Sequence, residues 1–247
     1  IGGGYIGLEM GSVWSRLGSE VQVVEYLDHI TPGMDKEISN EFLKILKKQG
    51  IKFNLKTKVE KISKTNSGVS IDVIDNEGKK SKIESSVVLI SVGRKPFTEK
   101  LNLSKVGVEL DKKGRIKVNK KFQTNITNIY AIGDVIDGPM LAHKAEEEGI
   151  AVAELIAGQS GHVNYDIIPG VIYTSPEVAS IGKTEEQLKE KNINYKIGKF
   201  PFIANSRAKA IDEPEGFVKI LADSKTDKVL GVHMIGPHAG EMIAEMS

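Results

Sequence analysis

Cysteine is absent from this sequence of 247 residues. Without a thiol, the chain can hold no disulfide, no thiolate zinc site and no cysteine nucleophile. Aromatic residues make up only 6% of it, which disfavours the stacking platforms that bind single-stranded nucleic acid. No apolar run approaches the roughly 20 residues of a membrane-spanning helix. We therefore expect no redox-active disulfide within these residues, and neither a nucleic-acid nor a membrane partner.

An excess of either charge is also missing, because 34 basic residues face 33 acidic ones and the net charge is +1. Such a balance gives no general attraction to nucleic acid or to an anionic membrane. The five histidines are not spaced as metal ligands, and neither a G-x-S-x-G nucleophile elbow nor a Walker loop is present. The sequence predicts no metal site, and its length suits one large domain or two to three small ones.

Glycine, by contrast, is concentrated in the first eleven residues. Gly2, Gly4 and Gly7 fit G-x-G-x-x-G and run directly into a helical pattern. In a dinucleotide-binding turn the first glycine permits the tight turn, the second lets a pyrophosphate approach, and the third lets the helix pack against the sheet. Unpaired amides at the helix N-terminus then favour phosphate. Only Ile1 precedes Gly2, so we expect the first strand of such a fold to be truncated.

The helix predicted after these glycines carries an apolar stripe that we expect to face a sheet, with Gly18 as its stop. The stripe consists of Ile6, Met10, Val13 and Leu17. A β-branched run follows and ends at Glu25, which lies 23 positions after Gly2. A carboxylate at about 20 residues from the first glycine binds the adenosine ribose hydroxyls. No Arg or Lys follows Glu25 directly to meet a 2′-phosphate, which favours NAD over NADP.

The pattern continues as a β-α-β-α-β unit. Asp35 is a candidate cap for a helix, and residues 51–55 are typical of the next strand. From 58 to 84 the apolar period changes to two, which predicts an antiparallel excursion from the parallel sheet. Residues 87–91 read as a fully apolar, buried strand that ends in a turn at Gly93, on the carboxyl edge where such sheets bind ligands.

Further along, short strands are predicted at 115–118 and at 129–134, the second of which delivers Asp134 at its end. A helix is predicted from 141 to 157, with Lys144 and residues 146–148 as its solvated face. Its expected core residues are Ala145, Ile150, Ala153 and Ile156. Thr184 and Gln187 are in register for a capping box, and three strand patterns, 195–202, 217–221 and 229–235, follow as an α+β unit.

Four collinear segments resemble one family. They are 2–14, 129–149, 171–179 and 199–208, and they resemble the two-cysteine flavoprotein disulfide reductases, in particular the E3 branch that oxidises dihydrolipoyl groups. The resemblance implies a Rossmann-like NAD-binding domain with an antiparallel excursion (1–96), a central FAD-contacting region (97–163) and a partial α+β dimerisation domain (164–247). It also implies NAD and FAD as cofactors, a homodimer, and the lipoyl-bearing E2 acyltransferase of 2-oxoacid dehydrogenase complexes as partner.

The same resemblance implies contacts for individual residues, beside Gly2, Gly4, Gly7 and Glu25. Tyr5 and Ile6 would lie near the nicotinamide, and Glu9 would fix it. Val59 and Gly93 would line the NAD site. Asp134 would accept a hydrogen bond from the FAD ribityl chain. Met140, Leu141, Ala142 and His143 would run beside the flavin, with His143 as a contact and not a catalyst.

No catalytic residue is assigned, because the resemblance places the redox disulfide and the catalytic histidine outside these residues. We therefore expect the isolated chain to be inactive. Two alternatives stay open: another NAD(P)H-dependent flavin disulfide reductase, such as one acting on glutathione, and a nucleotide-binding or dimer-forming module without a redox role. By resemblance, the compartment would be the bacterial cytoplasm or the mitochondrial matrix.

Overall fold

The computed structural model describes residues 1–247. The chain divides into two compact units, of which the first joins residues 1–93 with 169–247 and the second comprises residues 94–168. The three-part division expected from the sequence stays a prediction. None of the helices is long and apolar enough to cross a membrane.

The elements are numbered in chain order. The helices are α1 (Tyr5–Arg16), α2 (Lys36–Lys48), α3 (Leu103–Val106), α4 (Ala142–Ile156), α5 (Glu185–Glu190), α6 (Ser206–Ala210) and α7 (Ala239–Met242). The strands are β1 (Gln22–Val24), β2 (Lys52–Asn54), β3 (Lys58–Lys64), β4 (Val69–Ile74), β5 (Lys80–Ser85), β6 (Gly170–Ile172), β7 (Glu177–Gly182), β8 (Tyr195–Pro201), β9 (Phe217–Asp223) and β10 (Val229–Gly236). Short 3-10 turns lie at Gly133–Val135, Tyr165–Ile167, Phe202–Ala204 and Ile243–Met246.

Three sheets form the first unit. β1 and β2 pair in parallel, β3, β4 and β5 form an antiparallel sheet, and the third sheet has the order β6-β7-β10-β9-β8 with antiparallel pairing throughout. The predicted antiparallel excursion and the later strand patterns are thereby confirmed. β9 alternates between buried and half-buried residues over most of its length, whereas the last six residues of β10, the central strand of its sheet, are all buried.

One hydrophobic core joins the two segments of the first unit. Leu8 and Phe42 from residues 1–93 pack in the same buried cluster as Ile172, Phe217 and Ile235 from residues 169–247. The predicted α2 is confirmed, because the Asp35 side chain accepts from the Glu37 amide and its apolar stripe is buried. The predicted capping box at α5 is confirmed as well, with reciprocal bonds between Thr184 and Gln187.

The predicted face of α1 is wrong. Met10, Val13 and Leu17 are exposed, and the buried positions are instead Gly7, Leu8, Gly11 and Ser12. The reason is that small residues let a helix backbone come closer to a strand than a branched side chain does, so the small face of α1 is the one that packs. Gly18, just past the helix, has a φ of +93°, as a helix stop requires.

The prediction of a buried strand at 87–91 is also wrong. No strand forms there, and Val87 and Ile90 are 77% and 63% exposed. The backbone partner of this segment is Ile1, whose amino group donates to the Leu89 carbonyl and whose carbonyl accepts from the Ser91 amide, each at 2.8 Å. One paired residue does not make a ladder, and no layer covers the outward side chains.

In the second unit the two predicted strands each reduce to a single bridge, Leu110 with Ile116 and Gln123 with Tyr130. The helix is confirmed as α4, and Glu146 and Glu147 are exposed as predicted, but the rest of its predicted faces is wrong. Lys144 and Glu148 are 0% exposed. Ile150, Ala153 and Ile156 are exposed, and Ala145 is half-buried. Oppositely charged side chains at i and i+4 neutralise each other. A charged face can therefore be buried in a core when hydrogen bonds satisfy its remaining polar atoms.

Candidate functional site

The first turn of the chain shows why its glycines stand where they do. Gly2 has a φ of +103°, and a Cβ there would lie 2.4 Å from the Ser91 carbonyl oxygen. A Cβ on Gly7 would lie 2.4 Å from the Gly2 carbonyl oxygen, so α1 packs directly on the turn. Both positions require glycine for the backbone alone.

Gly4 is different, because a Cβ there would meet nothing within 4 Å. Gly4 is the N-cap of α1, and no side chain caps that helix end. The first turn of α1 also holds no acidic residue. This end of α1 therefore lacks a side-chain acceptor for its amides and has free space at Gly4, which suits an approaching anion.

Glu25 lies beside these glycines and is 8% exposed. Its Oε2 accepts from the Gly3 amide at 2.6 Å, and its Oε1 accepts from the Leu27 amide at 2.7 Å. Each carboxylate oxygen keeps further lone pairs, so the group is held in place while it can still accept from a ligand hydroxyl. The sequence spacing brings Glu25 to the glycine turn, as expected.

Of the other residues expected here, Tyr5 is exposed and Ile6 is half-buried on the first turn of α1. Glu9 lies one turn further along, where its Oε1 accepts from the Tyr173 amide at 2.8 Å. Residues 169–247 therefore supply a backbone donor that fixes Glu9. The sequence contains no signal for this contact, because it joins residues 164 positions apart.

Val59 and Gly93 lie elsewhere in the first unit. Val59 is on β3 next to a register shift in the β3–β4 ladder, and it packs against the cluster of Val24, Ile71 and Val73. Gly93 has a φ of +128° with nothing within 4 Å of a Cβ position, so its backbone is open to a close approach.

The second unit contains the other expected carboxylate, Asp134. It follows Gly133, whose φ is +72°, in the short 3-10 turn Gly133–Val135. Arg94 donates from Nη2 to its Oδ2 at 2.8 Å, and both side chains are substantially exposed. The Asp134 side chain is 40% exposed and its carboxylate oxygens have further lone pairs, so it is available to accept from a hydroxyl.

A buried ion pair between Lys144 and Glu148 fixes the backbone of this turn at Gly133. Glu148 accepts from the Gly133 amide at 2.7 Å, and Lys144 donates to the Gly133 carbonyl at 3.3 Å and to Glu148 at 2.9 Å. The Tyr165 hydroxyl donates to Glu148 at 2.8 Å. Burial and the adjacent carboxylate raise the pKa of Tyr165 well above its usual range. Sequence reasoning missed Lys144 and Glu148, although their i, i+4 spacing and opposite charge were the available signal.

Four expected flavin contacts lead into α4. Met140, Leu141 and His143 are half-buried and Ala142 is exposed. Leu141 is the N-cap, no side chain caps this helix end, and its first turn holds no acid. The amides at the start of α4 therefore provide a second uncapped helix N-terminus in the chain, on a helix long enough to carry a dipole.

A second buried cation lies in the first unit and takes no part in either glycine turn. Lys219 is fully buried and contacts Asp35 at 3.0 Å, Glu185 at 2.6 Å and Glu37 at 3.1 Å. Lys189 and Lys219 lower the pKa of Glu185 to about 2. Burial opposes ionisation of Asp35, yet the bonds from Lys219 and the Glu185 amide outweigh it and lower its pKa. This cluster ties α2 to α5 and β9.

Neither unit contains a group of three or more His, Cys, Asp or Glu side chains that could hold a metal ion. The polar groups gathered at the two glycine turns are instead backbone amides and single carboxylates. Such donors and acceptors suit phosphates and sugar hydroxyls, the polar parts of a dinucleotide.

Two family models match the chain. Pyridine nucleotide-disulphide oxidoreductase matches residues 1–149, and the dimerisation domain of the same group matches residues 168–247. Together they account for both segments of the first unit and for most of the second.

Curated relatives align with this chain over 99% of its length. It is 61% identical to a mitochondrial dihydrolipoyl dehydrogenase of Pisum sativum, covering 49% of that protein, and 62% identical to mitochondrial dihydrolipoyl dehydrogenase 1 of Arabidopsis thaliana, covering 48%. It is also 60% identical to a leghemoglobin reductase of Glycine max, covering 47%. The chain thus spans about half the length of the curated relatives it matches.

Solved structures show the same fold. The flavoprotein disulfide reductase RclA from Escherichia coli, described as HOCl-induced, superposes with a TM-score of 0.89 at 28% identity, over 100% of this chain and 56% of that one. LpdA from Mycobacterium tuberculosis gives 0.89 at 26% identity, over 99% of this chain and 53% of that one.

Proposed function

The chain belongs to the pyridine nucleotide-disulphide oxidoreductase family, and from this we propose that it is the NAD-binding, central and dimerisation portion of a dihydrolipoyl dehydrogenase. The enzyme as a whole oxidises dihydrolipoyl groups and passes the electrons through a disulfide and FAD to NAD. The identity of 61–62% with two enzymes of that name supports the substrate class.

The observation that carries the nucleotide assignment is the Glu25 carboxylate at the glycine turn. Backbone amides of Gly3 and Leu27 hold both of its oxygens, so it is positioned before any ligand arrives. A fixed carboxylate accepts from two vicinal ribose hydroxyls and repels a 2′-phosphate at the same place. The cofactor is therefore NAD and not NADP.

Backbone pairing supports a Rossmann-like arrangement around this site. β2 pairs with β1, the Gly2 amide donates to the Val24 carbonyl of β1, and Ile1 bonds to Leu89 and Ser91 on its other side. The spatial order of β2, β1, Ile1 and 87–91 is the 3-2-1-4 order of a dinucleotide-binding half. The glycine turn then lies at the carboxyl end of the strands.

The remaining residues take their roles from this arrangement. Gly2 and Gly7 shape the turn, while Gly4 leaves room for the pyrophosphate over the start of α1. Tyr5, Ile6 and Glu9 face the nicotinamide, with Glu9 oriented by the Tyr173 amide. Val59 and Gly93 line the NAD site.

In the second unit, Asp134 accepts from the FAD ribityl chain, and residues 140–143 present the backbone at the start of α4 to the flavin. NAD and FAD, when bound, supply hydride and electron transfer, while the protein supplies position and electrostatics. Arg94 orients Asp134 through a hydrogen bond of 2.8 Å. The Gly133 backbone, fixed by Lys144 and Glu148, keeps this turn in register.

We assign the limits 1–96, 97–163 and 164–247 to the three portions. The match to a dimerisation domain supports a homodimer. The lipoyl-bearing E2 acyltransferase is the partner of the whole enzyme, and the mitochondrial matrix is its compartment, since curated relatives are described as mitochondrial.

Two assays test the proposal. Fluorescence titration of the purified chain is expected to show NADH binding that NADPH displaces only weakly, and tighter binding of NADPH would contradict the assignment. Dihydrolipoamide oxidation by the isolated chain is expected to be undetectable, because it contains no cysteine. Turnover by this chain alone would refute its proposed dependence on a disulfide.

A further inference from the structure

Residues 28–34 form a loop between β1 and α2, and Thr31 in this loop has an unusual backbone conformation. Its φ is +50°, and of the eight non-glycine residues with a positive φ it is the only β-branched one. A branched Cβ makes this conformation costly, and such strain persists only where neighbouring contacts enforce it. The contacts of Thr31 therefore show what the strained loop is held against.

Two hydrogen bonds hold Thr31, which is 3% exposed. Its amide donates to the Gly3 carbonyl at 2.8 Å, which joins the loop to the glycine turn. Its hydroxyl oxygen lies 2.7 Å from the hydroxyl oxygen of Ser39, which is buried on α2. The Ser39 amide in turn donates to the carbonyl of Asp35, the N-cap of α2. The loop is thus anchored to the start of α2 on one side and to Gly3 on the other.

The bond from Thr31 fixes the peptide that joins Gly3 to Gly4. In a trans peptide the carbonyl and the N–H lie in one plane and point in opposite directions. Because the Gly3 carbonyl is directed at Thr31, the Gly4 amide points away from the loop, and it has no acceptor within the chain. The preceding peptide is fixed separately, since the Gly3 amide donates to Glu25. Thr31 and Glu25 therefore orient two successive peptides of the turn.

The same loop also packs against Gly3. A Cβ on Gly3 would lie 3.3 Å from Cγ2 of Ile30, which is fully buried, and 3.2 Å from Oε2 of Glu25. Gly3 is thus enclosed by the loop and by Glu25, and its carbonyl has little room to turn toward another donor.

We propose that Thr31 is a positioning residue for the pyrophosphate of the bound dinucleotide. Its amide sets the direction of the Gly4 amide, and the Ser39 hydroxyl holds Thr31 in the left-handed conformation that this bond requires. Backbone amides at the start of a helix are the groups that receive a pyrophosphate in such turns. The ligand in this proposal is the one given under the proposed function, whereas the orientation of Gly4 is a property of the chain alone.

The test uses the full chain with single substitutions. Thr31→Pro removes the amide and excludes a positive φ. Thr31→Gly keeps the amide and adopts a positive φ without strain. Ser39→Ala removes the partner of the Thr31 hydroxyl and decides the question if Thr31→Pro does not fold. Asp227→Pro is the matched control, because Asp227 also has a positive φ and donates from its amide to a backbone carbonyl, that of Asp223 at 3.1 Å.

NMR titration compares ADP-ribose, which contains the pyrophosphate, with adenosine, which lacks it. Thr31→Pro is expected to weaken ADP-ribose binding about tenfold or more and Ser39→Ala about threefold or more. Adenosine affinity is expected to change less than about twofold in both, because Glu25 keeps its two amide donors. Thr31→Gly is expected to recover most of the loss, and Asp227→Pro to cause none. An equal loss for adenosine, or an equal loss in Thr31→Gly or Asp227→Pro, overturns the proposal.

A second measurement needs no nucleotide. Residual dipolar couplings of the Gly4 amide report its direction, with Ile220 in β9 as the reference for an intact fold. We expect them to change in Thr31→Pro and Ser39→Ala and to match the wild type in Thr31→Gly. An unchanged Gly4 direction in both Thr31→Pro and Ser39→Ala overturns the proposal. Absence of ADP-ribose binding in the wild type would contradict the proposed nucleotide function instead, and the couplings would still decide whether Thr31 orients Gly4.

Discussion

The two glycine turns of this chain are each fixed by a carboxylate, but the other partners of that carboxylate differ. In each, a carboxylate accepts from a glycine amide: Glu25 from Gly3 at 2.6 Å, and Glu148 from Gly133 at 2.7 Å. In the first turn the other donor to the carboxylate is a backbone amide. In the second, the carboxylate belongs to a fully buried ion pair with Lys144.

In the first turn one residue both orders the backbone and meets the ligand, whereas in the second turn two residues divide these roles. Glu25 both orders the glycine turn and offers its remaining lone pairs to a ligand. In the second turn Glu148 orders the backbone, and the exposed Asp134 is left to meet the ligand. Substitutions in the second turn can therefore separate stability from binding, whereas substitutions of Glu25 change both.

The largest expected effect comes from Glu148→Leu. It leaves the Lys144 ammonium buried without its counter-ion and the Gly133 amide without its acceptor. We expect a loss of about 3–5 kcal/mol in the unfolding free energy of the second unit. Urea unfolding followed by circular dichroism measures it.

Glu147→Gln, at the exposed neighbouring position, is the control and should change stability by less than about 0.5 kcal/mol. The double variant Lys144→Met with Glu148→Leu should recover much of the loss, because no charge is then left unpaired. A Glu148→Leu loss no larger than that of the control would show that the pair does not hold the turn.

Gly7→Ala is the next largest change and probes the first turn. Its Cβ would lie 2.4 Å from the Gly2 carbonyl oxygen, so the helix must move. We expect a loss of about 1–3 kcal/mol by thermal unfolding.

Gly4→Ala is its matched counterpart, since nothing lies within 4 Å of that Cβ position. Stability should fall by less than about 1 kcal/mol, while NADH affinity falls about tenfold or more because the methyl group occupies the path of the pyrophosphate. If Gly7→Ala proved no more destabilising than Gly4→Ala, the packing role of Gly7 would be wrong.

Tyr165→Phe has a smaller expected effect, about 1 kcal/mol, because Lys144 and Gly133 still bond to Glu148. The pKa of Tyr165 is raised in the folded state, so its contribution is complete below the ordinary tyrosine pKa of about 10 and is lost as pH rises through the raised value. Spectrophotometric titration should show one fewer late-ionising tyrosine in the variant. Tyr26→Phe, at an exposed position, is the control and should change stability by less than about 0.5 kcal/mol.

Arg94→Gln should have the smallest effect, under about 0.5 kcal/mol, because the pair with Asp134 is open to solvent. The unfolding midpoint of this variant is the measurement. A loss comparable to that of Glu148→Leu would mean that Asp134 and Arg94, and not the buried pair, hold the second turn.

Local patterns predicted the elements that depend on local physics. The apolar spacing and Asp35 cap of α2, the capping box of Thr184 and the alternation of 58–84 all lead to the structure observed. The spacing from Gly2 to Glu25 likewise brings the two together, because a β-α-β unit has a nearly fixed length.

The errors in the two helices share one physical cause. In α1 and α4 an apolar stripe competes with another face, and the structure buries the small residues of α1 and the charged pair of α4. Hydropathy does not include close backbone approach or charge pairing at i and i+4. The exposure of residues 87–91 depends on which other segments pack against them. The contact of Glu9 with Tyr173 depends on tertiary structure alone.

The central claim is that the carboxylate of Glu25, held by two backbone amides, selects NAD. Calorimetric titration of NADH and NADPH into the wild-type chain and into Glu25→Gln tests it most directly. Glutamine has one acceptor oxygen, so the NH₂ group of its side chain would face the amide of Gly3 or of Leu27. The substitution also removes the negative charge that repels a 2′-phosphate. We expect NADH to bind more tightly than NADPH to the wild type, and the preference to fall about tenfold or more in the variant. An unchanged preference in Glu25→Gln, or tighter NADPH binding by the wild type, would contradict the account.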